Sequence, residues 1–255
     1  GFGAVGKHAA RFLTARVAKL VAVADSMGAT HNPDGLDINA LLELKAAGRS
    51  VADYPDGNRL EKDDVIDVEC DIWIPAARPD VVNEDNVHRL KTRLVVEGAN
   101  IPFTLGAEEY LHERGVVCIP DFIANAGGVI CAALEYQRAP EAMVFPTIEE
   151  KIRRNTSAVL GDARAREILP RQAAVELAEA FRELSQILKI GIEDGSLRRD
   201  LDIDRTMELF FMTLRTVLNQ VLLVRSPKVS QLEYTTDETY FYYLDLFLEG
   251  VRART

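Results

Sequence analysis

Residues 1–13, GFGAVGKHAARFL, place glycines at positions 1, 3 and 6 and then run directly into a helical pattern. The G-x-G-x-x-G spacing suits a loop that wraps a diphosphate. The first two glycines permit a tight turn and close backbone approach, the third lets helix and strand pack, and the helix N-terminus faces the anion. Such a loop hangs from the end of a β-strand, and this sequence opens at the loop itself. A doubly wound, Rossmann-like parallel sheet lacking its first strand is therefore expected, in a chain that starts inside a dinucleotide-binding unit. The flanking strands, KLVAVAD (19–25) and CDIWIP (70–75), should close on each other or leave a gap.

Working outward, Ala9, Phe12, Leu13 and Val17 keep helical spacing before the apolar run at 19–25. Two further runs, RLVVEG (93–98) and GVVCIPD (115–121), join CDIWIP, and helical stretches such as LDINALLELKAAG (36–48) and NAGGVICAALEYQ (125–137) alternate with them. Short strands alternating with helices imply parallel pairing, right-handed crossovers and helices on both faces. From about Thr147 the pattern is helical only, with Pro170 at a helix start and Gly195 near a stop. Two more helices follow, 202–224 and 236–254, with Thr235 and Glu238 at capping-box spacing. The organisation expected is a cofactor domain over 1–178 and an all-helical C-terminal segment over 179–255.

The chain has 255 residues and a formal net charge of -10. That balance argues against a nucleic-acid partner, which needs clustered Lys and Arg. Cys70, Cys118 and Cys131 are widely spaced and match no zinc or redox motif, so no metal is expected and they read as reduced cytoplasmic thiols. The stretch 207–224 is apolar but interrupted by Glu208, Arg215, Asn219 and Gln220, which fits a buried helix better than a membrane span.

Asp25 ends the strand after the glycine loop, about twenty residues on, where a carboxylate can bond an adenosine ribose. The alternative is a solvated strand end opening the turn DSMG. A carboxylate there would repel a 2′-phosphate, and no Arg stands beside it in sequence, so NAD is preferred over NADP.

The motifs GFGAVG, VADSMGATHNPDGLDI, CDIWIPAA, VVEGAN and PDFIANAGGV, in this order, resemble the cofactor domain of the glutamate/leucine/phenylalanine/valine dehydrogenase family over residues 1–178. The resemblance implies that Gly1, Gly3 and Gly6 hold the pyrophosphate, with Phe2, Ala4 and Val5 in the same loop, and that Asp25, with Ser26 beside it, meets the ribose. Ala76, Ala77 and Asn100 would line the nicotinamide side. Asn125, Gly127 and Gly128 would sit where nicotinamide meets the amino acid. The implied reaction is reversible oxidative deamination of an L-amino acid. Ala132 stands where glutamate-specific members carry Ser, so apolar amino acids become plausible substrates. Ala4 stands where the family usually has Asn. The family's catalytic Lys and Asp belong to a preceding domain, so no catalytic residue is assigned.

Residues 181–255 resemble the C-terminal effector domain of tetracycline-repressor-family regulators, whose last two helices dimerise. Met207, Phe210, Phe211, Leu214, Leu218, Val221 and Leu222 form one apolar face, and Tyr240, Phe241, Leu244, Phe247 and Val251 another. A homo-oligomer through 206–224 and 237–252 is expected. The second functional reading is a ligand-responsive regulator or dimerisation module using the α/β part as sensor, and a third is a joined fragment without function of its own.

Overall fold

The computed structural model describes residues 1–207, 209–210 and 236–253. They form two compact units, Gly1–Val175 and Glu176–Thr255. In chain order the elements are α1 (Ala4–Thr14), β1 (Ala22–Asp25), β2 (Gly28–His31), α2 (Ile38–Ala46), β3 (Asn58–Leu60), β4 (Ile72–Trp73), β5 (Leu94–Val96), α3 (Leu105–Glu113), β6 (Val117–Ile119), α4 (Asp121–Ala124), α5 (Gly127–Tyr136), α6 (Glu141–Arg166), α7 (Pro170–Glu193) and α8 (Thr236–Val251). Asp37 caps α2 by accepting from the Asn39 and Ala40 amides, and Thr104 caps α3 by accepting from Ala107.

The strands form two three-stranded sheets, so the fold is mixed α/β. One sheet, β4-β5-β6, is parallel throughout, as the alternation of apolar runs and helices implies. The other, β1-β2-β3, is antiparallel, which corrects the expectation of parallel pairing for the run at 19–25. The reason is local. Asp25 pairs with Gly28 across a turn of Ser26 and Met27, and a connection that short returns the chain only antiparallel. Gly28, at φ 155°, packs so closely that a Cβ would sit 2.9 Å from that of Ala52. β2 and β3, three or four residues each, carry no apolar run that sequence reading could detect.

No ladder joins β1 to β4. The Gly1–Phe2 segment lies at the carboxyl ends of both strands. Phe2 N–H donates to the Ala24 carbonyl at 2.6 Å, while Gly1 lies against Ala76. Each sheet has its own core. Phe2, Ala10, Val23, Leu36, Leu41, Val51 and Tyr54 pack together between the antiparallel strands, α1 and α2. Around the parallel sheet, Val82, Val87, Val95, Phe103, Ala107 and Leu111 do the same, and Trp73 meets Phe103 edge to face at 6.2 Å.

Asp25 fastens the first sheet. Its Oδ1 accepts from the Met27 amide and the Ser50 hydroxyl, both at 2.9 Å, and its Oδ2 from Lys45 Nζ at 2.8 Å and the Val51 amide at 3.0 Å. Burial alone would raise this carboxyl's pKa. The bonds from Lys45, the Val51 and Met27 amides and Ser50 outweigh it and hold the pKa at about 2.

In the second unit, α7 stops where Gly195 takes φ 81° and Leu197 N–H returns to the Gly191 carbonyl at 2.8 Å. Leu197 bridges antiparallel to Arg252. Within this unit Phe210 packs on Phe247 with ring centroids 4.7 Å apart and accepts from the Tyr243 hydroxyl at its carbonyl. Met207 and Val251 are buried. Thr235, Phe211, Leu214, Leu218, Val221 and Leu222 lie outside the described residues. Among the described residues no helix is long and apolar enough to cross a membrane.

Two outcomes follow for stability. Phe103→Ala should cost about 3–5 kcal/mol in denaturant unfolding, because it empties the centre of the parallel-sheet core. Asp25→Asn should cost about 1–3 kcal/mol, since Lys45 loses its anion. The native Asp25 pKa is depressed, so its contribution is complete above the unfolded value near 3.8 and disappears as pH falls through about 2. Urea melts between pH 5 and 2 should show a shallower acid decline for Asp25→Asn than for wild type.

Candidate functional site

The carboxyl ends of β4, β5 and β6 lie along one edge of the parallel sheet, and the segments leaving them carry most of the residues singled out in the sequence. The glycine loop joins this edge through close backbone approach. A Cβ on Gly1 would lie 2.7 Å from the Ala76 carbonyl oxygen and 3.0 Å from Ala77 Cβ, and one on Gly6 would run into the Gly1 carbonyl. Gly98 closes the other side, where a Cβ would meet Val5 Cγ1 at 3.2 Å. Its amide and that of Ala99 both donate to the Pro75 carbonyl, at 3.1 and 2.8 Å. Gly1, Val5, Gly6, Ala76, Ala77 and Gly98 are thus brought together.

Gly3 differs. A Cβ there would meet nothing within 4 Å, and Gly3, Ala4 and Val5 are exposed. Gly3 is also the N-cap of α1 and provides no side-chain cap, and the first turn holds no acidic residue. The first turn of this eleven-residue helix therefore has neither a side-chain cap nor an acidic residue to offset the positive end of its dipole.

Farther along the edge, Asn125 Nδ2 donates to Asn100 Oδ1 at 2.7 Å, coupling the segment after β5 to the end of α4. Gly128 and Ala132 lie on the exposed surface of α5, a helix with no buried residue. Ser26 is exposed in the β1–β2 turn beside Asp25. The Asp25 side chain is turned inward, and a ribose hydroxyl would have to compete with Lys45, Ser50 and two amides. Lys45 also neutralises it, so the bare carboxylate invoked to repel a 2′-phosphate is not present, and the preference for NAD loses its physical support.

Sequence reading missed a buried ionic cluster beneath this edge. Arg171 of α7 donates through Nη2 to Glu97 Oε2 at 2.7 Å, through Nε to Glu108 Oε1 at 2.6 Å and through Nη1 to Asp121 Oδ1 at 3.0 Å. The carboxylate side chains are 0%, 3% and 9% exposed in that order. Burial first, and then the Glu108 charge, push Glu97 up to about 8, and burial also raises Glu108. Burial would raise Asp121 as well, but the Ile101 amide and Arg171 hold it below the usual range. The one visible hint is a Glu directly after the apolar β5 run. Its partner Arg171 is 74 positions away and gives no local sign.

The sequence model of the Glutamate/Leucine/Phenylalanine/Valine dehydrogenase family matches residues 1–187. The chain is 40% identical over 151 residues to the NADP-specific glutamate dehydrogenase of Saccharolobus shibatae, covering 59% of this chain and 36% of that protein. It is 37% identical over 164 residues to NADP-specific glutamate dehydrogenase A1 of Halobacterium salinarum, covering 64% of this chain and 39% of the relative. A crystal structure of the hetero-hexameric glutamate dehydrogenase from Thermus thermophilus, in its Leu-bound form, superposes with a TM-score of 0.62 at 28% identity, covering 70% of this chain and 43% of that one. The chain therefore spans well under half the length of these relatives. The matched region ends within α7, and the regulator-like reading of the tail draws no support from it. On the extent of that match, the chain belongs to the Glutamate/Leucine/Phenylalanine/Valine dehydrogenase family.

Proposed function

We propose that the first unit holds a nicotinamide dinucleotide, NAD or NADP, as the cofactor-binding part of an amino-acid dehydrogenase catalysing reversible oxidative deamination. The observation that carries this is the glycine loop at the carboxyl ends of β1 and β4, with the uncapped α1 N-terminus opening beside Gly3. When bound, the nicotinamide supplies the hydride acceptor for the α-carbon of the amino acid. The residues of this chain do the holding. First-turn amides of α1 meet the diphosphate. Ala76 and Ala77 leave room beside the loop, and the Asn100–Asn125 pair presents amide donors and acceptors toward the nicotinamide end.

The cofactor form is left as NAD or NADP because Lys45 cancels the Asp25 charge, and two of the relatives above are NADP-specific enzymes. Ala132 would offer a side-chain carboxylate no hydrogen bond, which favours apolar amino acids over glutamate at that position. Self-association through 206–224 and 237–252 belongs to the same reading, with most of those residues outside the described part of the chain. No residue is assigned a catalytic role.

Titration of the full chain with NADH and NADPH, followed by fluorescence, tests the proposal. Gly3→Ala adds a methyl where the fold has open space, so its melting temperature should match wild type while affinity falls about tenfold or more, the equivalent of roughly 1.4 kcal/mol. Gly6→Ala forces the Gly1 carbonyl aside and should lower both stability and affinity. A folded wild-type chain that binds neither nucleotide at millimolar concentration would falsify the reading.

A further inference from the structure

Asn100 is followed by a strained residue. Ile101 has φ 48°, which puts a β-branched side chain in the left-handed region. Such a conformation persists only where the surroundings enforce it, and it concentrates at ligand sites. The Ile101 side chain does not enforce it, because the residue is 58% exposed. Two hydrogen bonds do. Ile101 N–H donates to Asp121 Oδ2 at 2.8 Å, and the Ile101 carbonyl accepts from the Asp80 amide at 2.9 Å. Asp121 also begins α4, and its carbonyl accepts from the Asn125 amide at 2.7 Å. One residue therefore supports both halves of the Asn100–Asn125 pair.

Asp121 is itself held by the cluster below. The groups facing Glu97 are Glu108 of α3, Asp121 of α4, Arg171 of α7 and, through longer-range coupling, the Cys118 thiol of β6. Three carboxylates share one guanidinium. Glu97 Oε1 is buried and receives no N–H or O–H donor, and the Glu97 carboxyl lies within hydrogen-bonding reach of another carboxyl, Glu108. A proton between the two carboxyls satisfies both oxygens and leaves two anions around Arg171.

We infer that Asp121 is the positioning residue of the Asn100–Asn125 pair, and that a proton held on Glu97 keeps it in place. When that proton passes to a base in solution, three anions surround one cation. Asp121 yields because it is the least buried of the three. The Ile101 amide then loses its acceptor, the turn relaxes, and Asn100 leaves Asn125. The release falls near pH 8, where burial and Glu108 place the Glu97 carboxyl. The functional half of this inference rests on the proposed nucleotide site, while the structural half does not.

Hydrogen exchange of the full chain between pH 6 and 9.5, corrected for intrinsic base catalysis, reads the structural half directly. Protection of the Ile101 and Asn125 amides should fall at least about fivefold as pH rises through 8, the lower end expected for loss of one strained contact. Glu97→Gln keeps an acceptor for Arg171 and supplies an amide donor to Glu108, so its protection should be flat across the range. The wild-type profile alone decides the matter if that variant does not fold. Wild-type protection that stays flat, or that falls equally in Glu97→Gln, overturns the inference. NADH titrations in the same buffers separate the two readings. A Kd that weakens in step with lost protection supports both. Protection that falls while NADH binds at no pH supports the positioning network and removes the nucleotide reading. Binding and protection that are both flat with pH overturn the network and leave the nucleotide reading standing.

Discussion

The close approach of Gly1 and Gly6 to Ala76 is the constraint on which the site depends. The backbone of the first turn of α1 reaches the carboxyl end of β4 because no Cβ stands in between, and Phe2 simultaneously bonds to Ala24 at the end of β1. That hydrogen bond and that steric allowance tie the glycine loop to both sheets, which share no ladder. The buried Phe2 ring then packs the loop into the core of the antiparallel sheet. Packing and site formation are consequently the same event here.

Legibility from sequence followed the range of the interaction. The helix after the glycines, the parallel strands β4 to β6 and the start of α7 at Pro170 were readable, because each is written in contiguous apolar spacing or in a helix-start residue. Ala76, Asn100 and Asn125 were singled out through the family resemblance, and the structure places them in the segments that leave β4, β5 and β6. The hairpin partner β2 was not, because Gly28–His31 contains only one fully apolar side chain, Ala29, and its burial comes from neighbours across the sheet. Asp25 was located correctly at a strand end, but its orientation was not legible. Lys45 and Ser50, which fix it, lie 20 and 25 positions away in segments that read as helix and loop. The Arg171 cluster was the least visible, since nothing local marks an arginine on a helical face as the partner of three distant carboxylates.

The two ionic arrangements in the first unit show how the same chemistry serves different ends. At Asp25 one carboxylate has one ammonium, a hydroxyl and two amides, and every oxygen is satisfied, so charge burial is compensated and the hairpin is fixed. Around Arg171 the carboxylates outnumber the cation, and one oxygen of Glu97 is left without a donor. Replacing such a cluster with apolar side chains of similar volume is often neutral or stabilising in other proteins, so its presence is poorly explained by stability alone. Its location is informative, because Asp121 connects it to the strained Ile101 turn.

The sign of the pH response follows from the same contrast. Asp25 binds its proton less tightly in the folded state than in the unfolded one, so it contributes stability above the unfolded carboxylate range and withdraws it in acid. Glu97 binds its proton more tightly when folded, because burial and the neighbouring Glu108 disfavour its anion. Its effect is therefore the reverse: stability is greatest below the unfolded value near 4.5 and is progressively lost as pH rises toward about 8, where the native carboxyl finally ionises. Between these limits Asp25 stays ionised and fully bonded, so the antiparallel sheet keeps its fastening while the contribution of the protonated Glu97 to the parallel-sheet side declines.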